Sequence, residues 1–342
     1  RTLVTAMTTL SPPHVITVKD PFPTFFGTTV DTVPANFKAF LERCPDRYFM
    51  TAAGNRICFF TDGDPSGVPV IAFHGGCEGK FKFAQKEPIP GMYLISIDRP
   101  GYGGSSPVST KDYKFEHAAQ DVAELATSLG VERFAMTGHS IGTSWCWQLA
   151  ASPVIAPRCR GIILWATMID PKHPKTVGRF RENQEFVPDC IDPVTGCCGC
   201  ILRSAFDSAV PKFQNYDFRQ MMERETKIGG PTVPEFQNDP FWVVSVVYSA
   251  LSFTDAHGIQ GDAHRTLIGK WQYDCADVKC PVWLFHGDSD YDMATKPVSA
   301  EWTKELAPQA NVEMVEKCGH TLVVGPNQAS RERFMKAIKD MP

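Results

Sequence analysis

Residues 134–143 of this 342-residue chain read Phe-Ala-Met-Thr-Gly-His-Ser-Ile-Gly-Thr. The five at their centre, Gly138-His139-Ser140-Ile141-Gly142, fit the G-x-S-x-G pattern. A serine hydroxyl is a poor nucleophile unless it is held exposed beside a base. A strand that turns sharply into a helix holds it so, and small residues on both flanks let the chain bend. An apolar segment runs into this turn and a helix-like segment follows, which is the context the chemistry needs. A base must then take the serine proton, and an acid must hold the base in its tautomer and stabilise the imidazolium. Downstream, Trp283-Leu284-Phe285 runs into His286-Gly287-Asp288-Ser289-Asp290, and Val315-Glu316-Lys317-Cys318 is followed by Gly319-His320. The candidates therefore come in the order Ser140, aspartate, His320. Asp288, Asp290 and Asp292 all lie within reach of the same turn.

Strands and helices alternate around these residues. Arg47 to Thr51 and Arg56 to Thr61 read as paired strands about the turn Ala53-Gly54-Asn55. Val68 to Phe73 is a strand ending in His74-Gly75-Gly76, and Met92 to Ile97 one ending in Asp98-Arg99-Pro100-Gly101-Tyr102-Gly103. Lys114 to Gly130 carries Ala118, Val122, Leu125, Ala126 and Leu129 at helical spacing. Val131 to Met136 is the strand before the turn, Ser140 to Ala151 the helix after it, and Gly161 to Ala166 the next strand. Val282 to Phe285 and Asn311 to Val315 add two strands, and Pro297 to Leu306 and Gln328 to Met341 two helices. This alternation predicts an α/β fold, a mostly parallel twisted sheet with helices on both faces.

Residues 171–270 break the alternation. They are helical, turn-rich and aromatic, with Phe206, Phe241, Trp242, Tyr248 and Phe253 among them. This predicts a helical cap, or lid, inserted between strands 6 and 7 over the carboxyl edge of the sheet. Most of its aromatics are expected to form the cap's own core, and a minority to face the pocket. The expected organisation is an N-terminal arm over 1–45, a core over 46–170 and 271–342, and the cap over 171–270. The arm holds six prolines and a short helix near Asn36 to Arg43.

In these motifs and their order, the chain resembles the α/β-hydrolase fold superfamily in its capped form, over roughly 47–170 and 271–340. The resemblance rests on the His74-Gly75-Gly76 loop, the Asp98-to-Gly103 loop, the turn at Ser140, the Gly287-x-x-Asp290 turn and the Gly319-His320 pair. It implies Ser140 as nucleophile, His320 as base and Asp290 as acid, with Asp288 as the alternative acid. Tetrahedral intermediates need donors fixed before reaction. Ile141 N–H supplies one from the helix N-terminus, and the resemblance implies Gly76 N–H as the second, with Cys77 as substitute. Glycines suit a backbone that must approach a substrate closely. His74, Gly75, Cys77 and His139 are the expected substrate-pocket residues, with His74 organising its turn and His139 packing beneath Ser140. Many relatives carry a glycine where this chain has Thr143, which raises a question of helix packing. Relatives that open epoxides or remove halogens use an aspartate at the nucleophile position, and Ser140 points away from both.

Composition sets the outer bounds. Hydrophobic residues make up 43% and charged residues 21%, as in ordinary globular proteins. A net charge of −4 without a basic stripe argues against nucleic acid as a partner. The longest apolar stretch, Phe241 to Phe253, is too short to span a bilayer and reads as a buried or lid helix. No secretory signal is visible, and residues 1–19 lack the arginine density of a transit sequence, so a cytoplasmic or organellar setting is favoured over secretion. Of twelve cysteines, Cys58 and Cys146 fall in segments that read as buried. Cys190, Cys197, Cys198 and Cys200 cluster, with a single C-x-x-C and no histidine nearby, leaving plain thiols, disulfides and a metal site open. The expectation is a serine hydrolase of a small, apolar or aromatic ester or related acyl compound, without metal or organic cofactor. The same residues would serve C–C bond, thioester or amide hydrolysis or acyl transfer. A ligand-binding or receptor role on the same fold is the alternative from another class.

Overall fold

A computed structural model describes residues 34–175, 177, 189–214, 239–290, 298–320 and 328–341. The arm over 1–33, Asp292 and Pro297 lie outside these residues. Eight strands form one sheet: β1 (Arg47–Met50), β2 (Arg56–Gly63), β3 (Val68–Phe73), β4 (Met92–Ile97), β5 (Phe134–His139), β6 (Cys159–Trp165), β7 (Val282–Gly287) and β8 (Asn311–Val315). Their order is β1-β2-β4-β3-β5-β6-β7-β8. The pairings β1–β2 and β2–β4 are antiparallel, and all others are parallel.

The strands alternate between two buried faces. Ile71, Phe73, Ile162, Leu164 and Leu284 belong to one core. Val70, Ala72, Ile163, Trp165 and Phe285, their sequence neighbours, belong to the other. Helices α2 (Phe115–Ser128) and α3 (Ile141–Ala151) cover the first face. Helix α1 (Ala35–Arg43) covers the second with Phe37 and Phe40. The amphipathic stripe of α2 explains its burial: Ala118, Val122, Leu125 and Ala126 face the core. Helix α3 is different, because every residue from Ile141 to Ala150 is buried. It lies in the protein interior, which suits an apolar helix with no charged side chain.

Between β6 and β7 lie helices α4 (Gly199–Gln214), α5 (Pro240–Leu251) and α6 (His257–Asp262), with a π-helical turn over Ala263–Ile268. Asp239 caps α5 by accepting the Phe241 N–H at 3.1 Å, and Pro240 follows it at the first helical position. Among the described residues, the buried aromatics here join the two cores of the sheet. Phe241 and Trp242 join the second face of the sheet and Phe253 the first. Phe241 packs 5.2 Å from Phe37 and 5.7 Å from Phe40. Helices α7 (Val298–Leu306) and α8 (Gln328–Lys339) complete the two layers.

The insertion is tied down by a charge pair with no solvent contact. Both carboxylate oxygens of Asp262, at the end of α6, lie 2.6 Å from Arg99 Nη1. Asp262 also accepts from Tyr102 Oη at 2.8 Å and from Trp145 Nε1 at 3.3 Å. Arg99 and Asp262 are 0% and 1% exposed. Removing one partner strands the other in a medium that cannot solvate it. Asp262→Ala should lower unfolding stability by roughly 3–5 kcal/mol in urea denaturation. Adding Arg99→Met should recover part of that loss, and a double variant worse than the sum of the singles would contradict the account.

Candidate active site

Strand β5 ends at His139 and α3 begins at Ile141, so Ser140 alone makes the turn. Its φ is 53° and its ψ −125°. A side chain held at positive φ costs about 1–3 kcal/mol and persists only where the surroundings enforce it. They do so here by crowding. A Cβ on Gly142 would sit 2.1 Å from the Phe73 carbonyl oxygen, and one on Gly138 2.4 Å from the Gly142 oxygen. The Ser140 N–H donates to Trp165 O at 3.0 Å. Thr143 resolves the packing question raised by the sequence. Gly142 makes the close approach, and the buried Thr143 hydroxyl donates to Ser140 O at 2.6 Å and accepts the Met168 N–H at 2.8 Å. Among the described residues, the non-glycine positive-φ positions are Cys77, Ser140, Ala166 and Lys317. They follow β3, β5, β6 and β8, so backbone strain collects at the carboxyl edge of the sheet.

The loop after β8 brings His320 to the turn after β7. His320 Nδ1 donates to Asp290 Oδ2 at 2.9 Å. Since a carboxylate only accepts, the proton of the neutral ring sits on Nδ1, which puts the ring's lone pair on Nε2. Asp290 is fully buried, and the His320 side chain keeps 17% exposure. His286 Nε2 is also 3.5 Å from Asp290 Oδ2. Asp288 occupies the exposed side of the turn, where its Oδ1 accepts from the Ser289 hydroxyl at 2.8 Å. Its slight burial, which would raise its pKa, is outweighed by that hydroxyl and by main-chain amides of Lys317 and Cys318, which lower it.

The loop after β3 meets the Ser140 turn. A Cβ on Gly75 would lie 3.2 Å from Ser140 Cβ, and one on Gly76 2.9 Å from Ile141 Cδ1 and 3.2 Å from Ile259 Cδ1 of α6. The first amides of a helix have no partner within it, so the Ile141 N–H is available where the two loops meet. Cys77 is half-buried, and burial pushes its thiol up to about 12. Gly75 N–H is used by Glu78 Oε2 at 2.9 Å.

Two residues expected in the substrate pocket take other positions. His74 is fully buried; its Nε2 accepts the Arg99 N–H at 3.0 Å and its Nδ1 donates to Gly75 O at 2.8 Å. Burial, with Arg99 adding to it, pushes this ring down to about 3, so it stays neutral and holds the loop. His139 is 1% exposed, with Nδ1 3.1 Å from Glu78 Oε2 and Nε2 3.0 Å from His320 O. Neither ring has an edge left for a substrate. A histidine beside a motif is near the site, but strand alternation decides which way it faces.

Charged residues that the sequence reading left unassigned support both loops. Arg99 Nε donates to His74 O at 2.9 Å and Nη2 to Gly75 O at 2.8 Å. Lys80 Nζ lies 2.9 Å from Asp98 Oδ2, and the Lys80 N–H reaches Asp98 Oδ1 at 2.9 Å. Burial would raise Asp98, but the Lys80 charge and its hydrogen bonds bring it below the usual carboxylate value. Arg99 was visible as part of a loop motif, while its partner Asp262 lies 163 residues away. The clustered Cys190, Cys197, Cys198 and Cys200 are thiols, with Cys197 and Cys198 sulfurs 3.9 Å apart. Among the described residues, no three or more His, Cys, Asp or Glu side chains are grouped to hold a metal ion.

Comparison with known proteins points the same way as the sheet order. Residues 68–193 match the family described as alpha/beta hydrolase fold. Epoxide hydrolase 3 of Xenopus tropicalis is 28% identical over 128 residues, which cover 36% of this chain and 33% of that protein. The chain thus matches only a third of that relative's length. Lipase 3 of Moraxella sp. (strain TA144) is 23% identical over 295 residues, covering 84% of this chain and 82% of that protein. The crystal structure of the esterase RhEst1 from Rhodococcus sp. ECU1013 superposes with a TM-score of 0.59 at 18% identity, over 87% of this chain and 99% of that chain. An eight-stranded, mostly parallel sheet with a serine turn after its fifth strand, a family match over residues 68–193 and a solved neighbour of the same architecture show that the chain has the α/β-hydrolase fold.

Proposed function

We propose that the chain is a serine hydrolase that cleaves an ester or related acyl bond of a small, apolar or aromatic substrate. Ser140 is the nucleophile, His320 the base and Asp290 the acid. The observation that carries this reading is a strained serine turn after β5 together with a His320–Asp290 hydrogen bond in the turns after β7 and β8, whose His320 carbonyl lies 3.0 Å from the ring of His139 beside Ser140. In the first step Ser140 Oγ attacks the acyl carbon while its proton passes to His320 Nε2. Asp290, buried against the ring, stabilises the imidazolium that forms. The oxyanion is received by the Gly76 and Ile141 N–H groups. The imidazolium then protonates the leaving alcohol, and water activated by His320 releases the acid from the acyl-enzyme.

A lipase relative and an esterase neighbour support ester chemistry. The epoxide hydrolase relative does not bring its chemistry with it, because this chain has a serine where a carboxylate nucleophile would be needed. The residues between β6 and β7 act as a cap: Ile259 of α6 reaches the Gly76 loop, and Gly258 packs on Tyr102 and Gly101. An apolar roof favours an apolar acyl or alcohol part.

Ser140→Ala should abolish labelling by a fluorophosphonate and reduce p-nitrophenyl ester turnover by several orders of magnitude, roughly 10⁶-fold in kcat, with the fold intact by circular dichroism. Retained turnover in that variant would end the reading. A second measurement separates the acids. Asp290→Asn should lower kcat by roughly 10⁴-fold. Asp288→Asn should stay within about twofold, as expected for an exposed turn carboxylate outside the machinery. The reverse pattern would reassign the acid to Asp288.

A further inference from the structure

The residue before the nucleophile lies between two groups of the site. His139 Nδ1 is 3.1 Å from Glu78 Oε2, and its Nε2 is 3.0 Å from the main-chain oxygen of His320. The two imidazole rings are 4.8 Å apart between centroids. Glu78 Oε2 also accepts the Gly75 N–H at 2.9 Å, and Glu78 Oε1 is 3.0 Å from Lys82 Nζ. One carboxylate thus touches the loop after β3 directly and the His320 loop through a single ring. The His139 and Lys82 side chains are 1% and 3% exposed, and Glu78 20%. Taking a carboxylate and an ammonium out of water is unfavourable, and an apolar pair of the same volume would pack here at least as well. Charge at this spot orients its neighbours rather than adding stability.

We propose that Glu78 and His139 are positioning residues. Glu78 sets the Gly75 amide and the His139 ring, and His139 sets the height of the His320 main chain over Ser140. The proposal rests on the serine-hydrolase reading, since it assigns these residues a task only if His320 is the base. Both neighbours of the ring are acceptors. A neutral ring donates to one of them and only a protonated ring to both, and the ring as a body fills the space between Glu78 and His320 O in either state. A shift of about 1 Å in a reacting group costs on the order of 10²-fold in rate, so the effect belongs in kcat rather than in KM.

The experiment measures kcat and KM per serine titrated by a fluorophosphonate, together with Tm, in wild type, Glu78→Ala, His139→Ala and the double variant. Each single variant should lose about 10- to 100-fold in kcat. KM should change by less than about threefold, the pattern of an interaction acting in the transition state. The double variant should be no worse than the poorer single, because the two residues act through one chain of contacts. His139→Gln, whose amide nitrogen can still donate to His320 O, should keep kcat within about fivefold of wild type. His139→Leu fills the space without a donor and replaces the alanine variant where that one fails to fold. Unchanged kcat per titrated serine, or losses that multiply in the double variant, would overturn the proposal. Wild-type protein that neither labels nor turns over would instead remove the serine-hydrolase reading, and this proposal with it.

Discussion

A serine at φ 53° between a strand and a helix cannot sit there by its own preference. The molecule around it supplies the force. Gly142 lets α3 start where a Cβ would lie only 2.1 Å from the Phe73 oxygen. Trp145 and Trp147 then anchor α3 in the core, each 1% exposed. Burying large aromatic side chains stabilises by about 1.5–3 kcal/mol each, which exceeds the ~1–3 kcal/mol of a strained residue. The all-buried helix is therefore the reason the turn holds, and the neighbouring strands β3 and β6 give it walls through Phe73 O and Trp165 O.

Charges surround this apolar seat in an ordered way. Lys80–Asp98, Lys82–Glu78 and Arg99–Asp262 all touch the loops after β3 and β4. Lys82–Glu78 lies within the loop after β3, Lys80–Asp98 joins that loop to the one after β4, and Arg99–Asp262 joins the sheet to α6. Paired charges in a low-dielectric setting contribute little net stability, yet they penalise every arrangement that separates them. A loop that must hold its amides in one orientation gains from that property. Its carbonyls are occupied by Arg99, and its Gly75 amide by Glu78, so few alternative conformations satisfy the same groups.

The sheet was largely legible because two-sided burial writes itself into sequence as short apolar runs. The expected β8 over Asn311 to Val315 matches the observed strand, and the expected β3 does as well. Boundaries slipped where polar residues sit at a strand end. Val131 to Arg133 precede β5 rather than open it, and β2 runs on to Gly63 because it pairs there with Tyr93. Side-chain partners were another matter. The His320–Asp290 contact was accessible because both residues end strands that are neighbours in the fold. The Glu78–His139 contact spans 61 residues and joins the loop after β3 to the end of β5, and no local periodicity encodes it. The aromatics of the 171–270 segment carried an ambiguous signal, since an apolar helix looks alike whether it packs on its own kind or on a sheet.

The geometry of Arg99 links two parts of the molecule that the chain keeps far apart. Its guanidinium donates to the carbonyls of His74 and Gly75, and it pairs with Asp262 at the end of α6. Moving α6 away would leave a guanidinium without a counter-charge among buried groups, so the docked insertion and the ordered loop stabilise each other. Tyr102 and Trp145 tighten the coupling, because both donate to the same carboxylate and Trp145 belongs to the helix that begins at Ser140. The turn, the loop facing it and the segment above them are thus parts of one network. Removing any one of its buried donors or acceptors exposes the others to an unmet hydrogen bond.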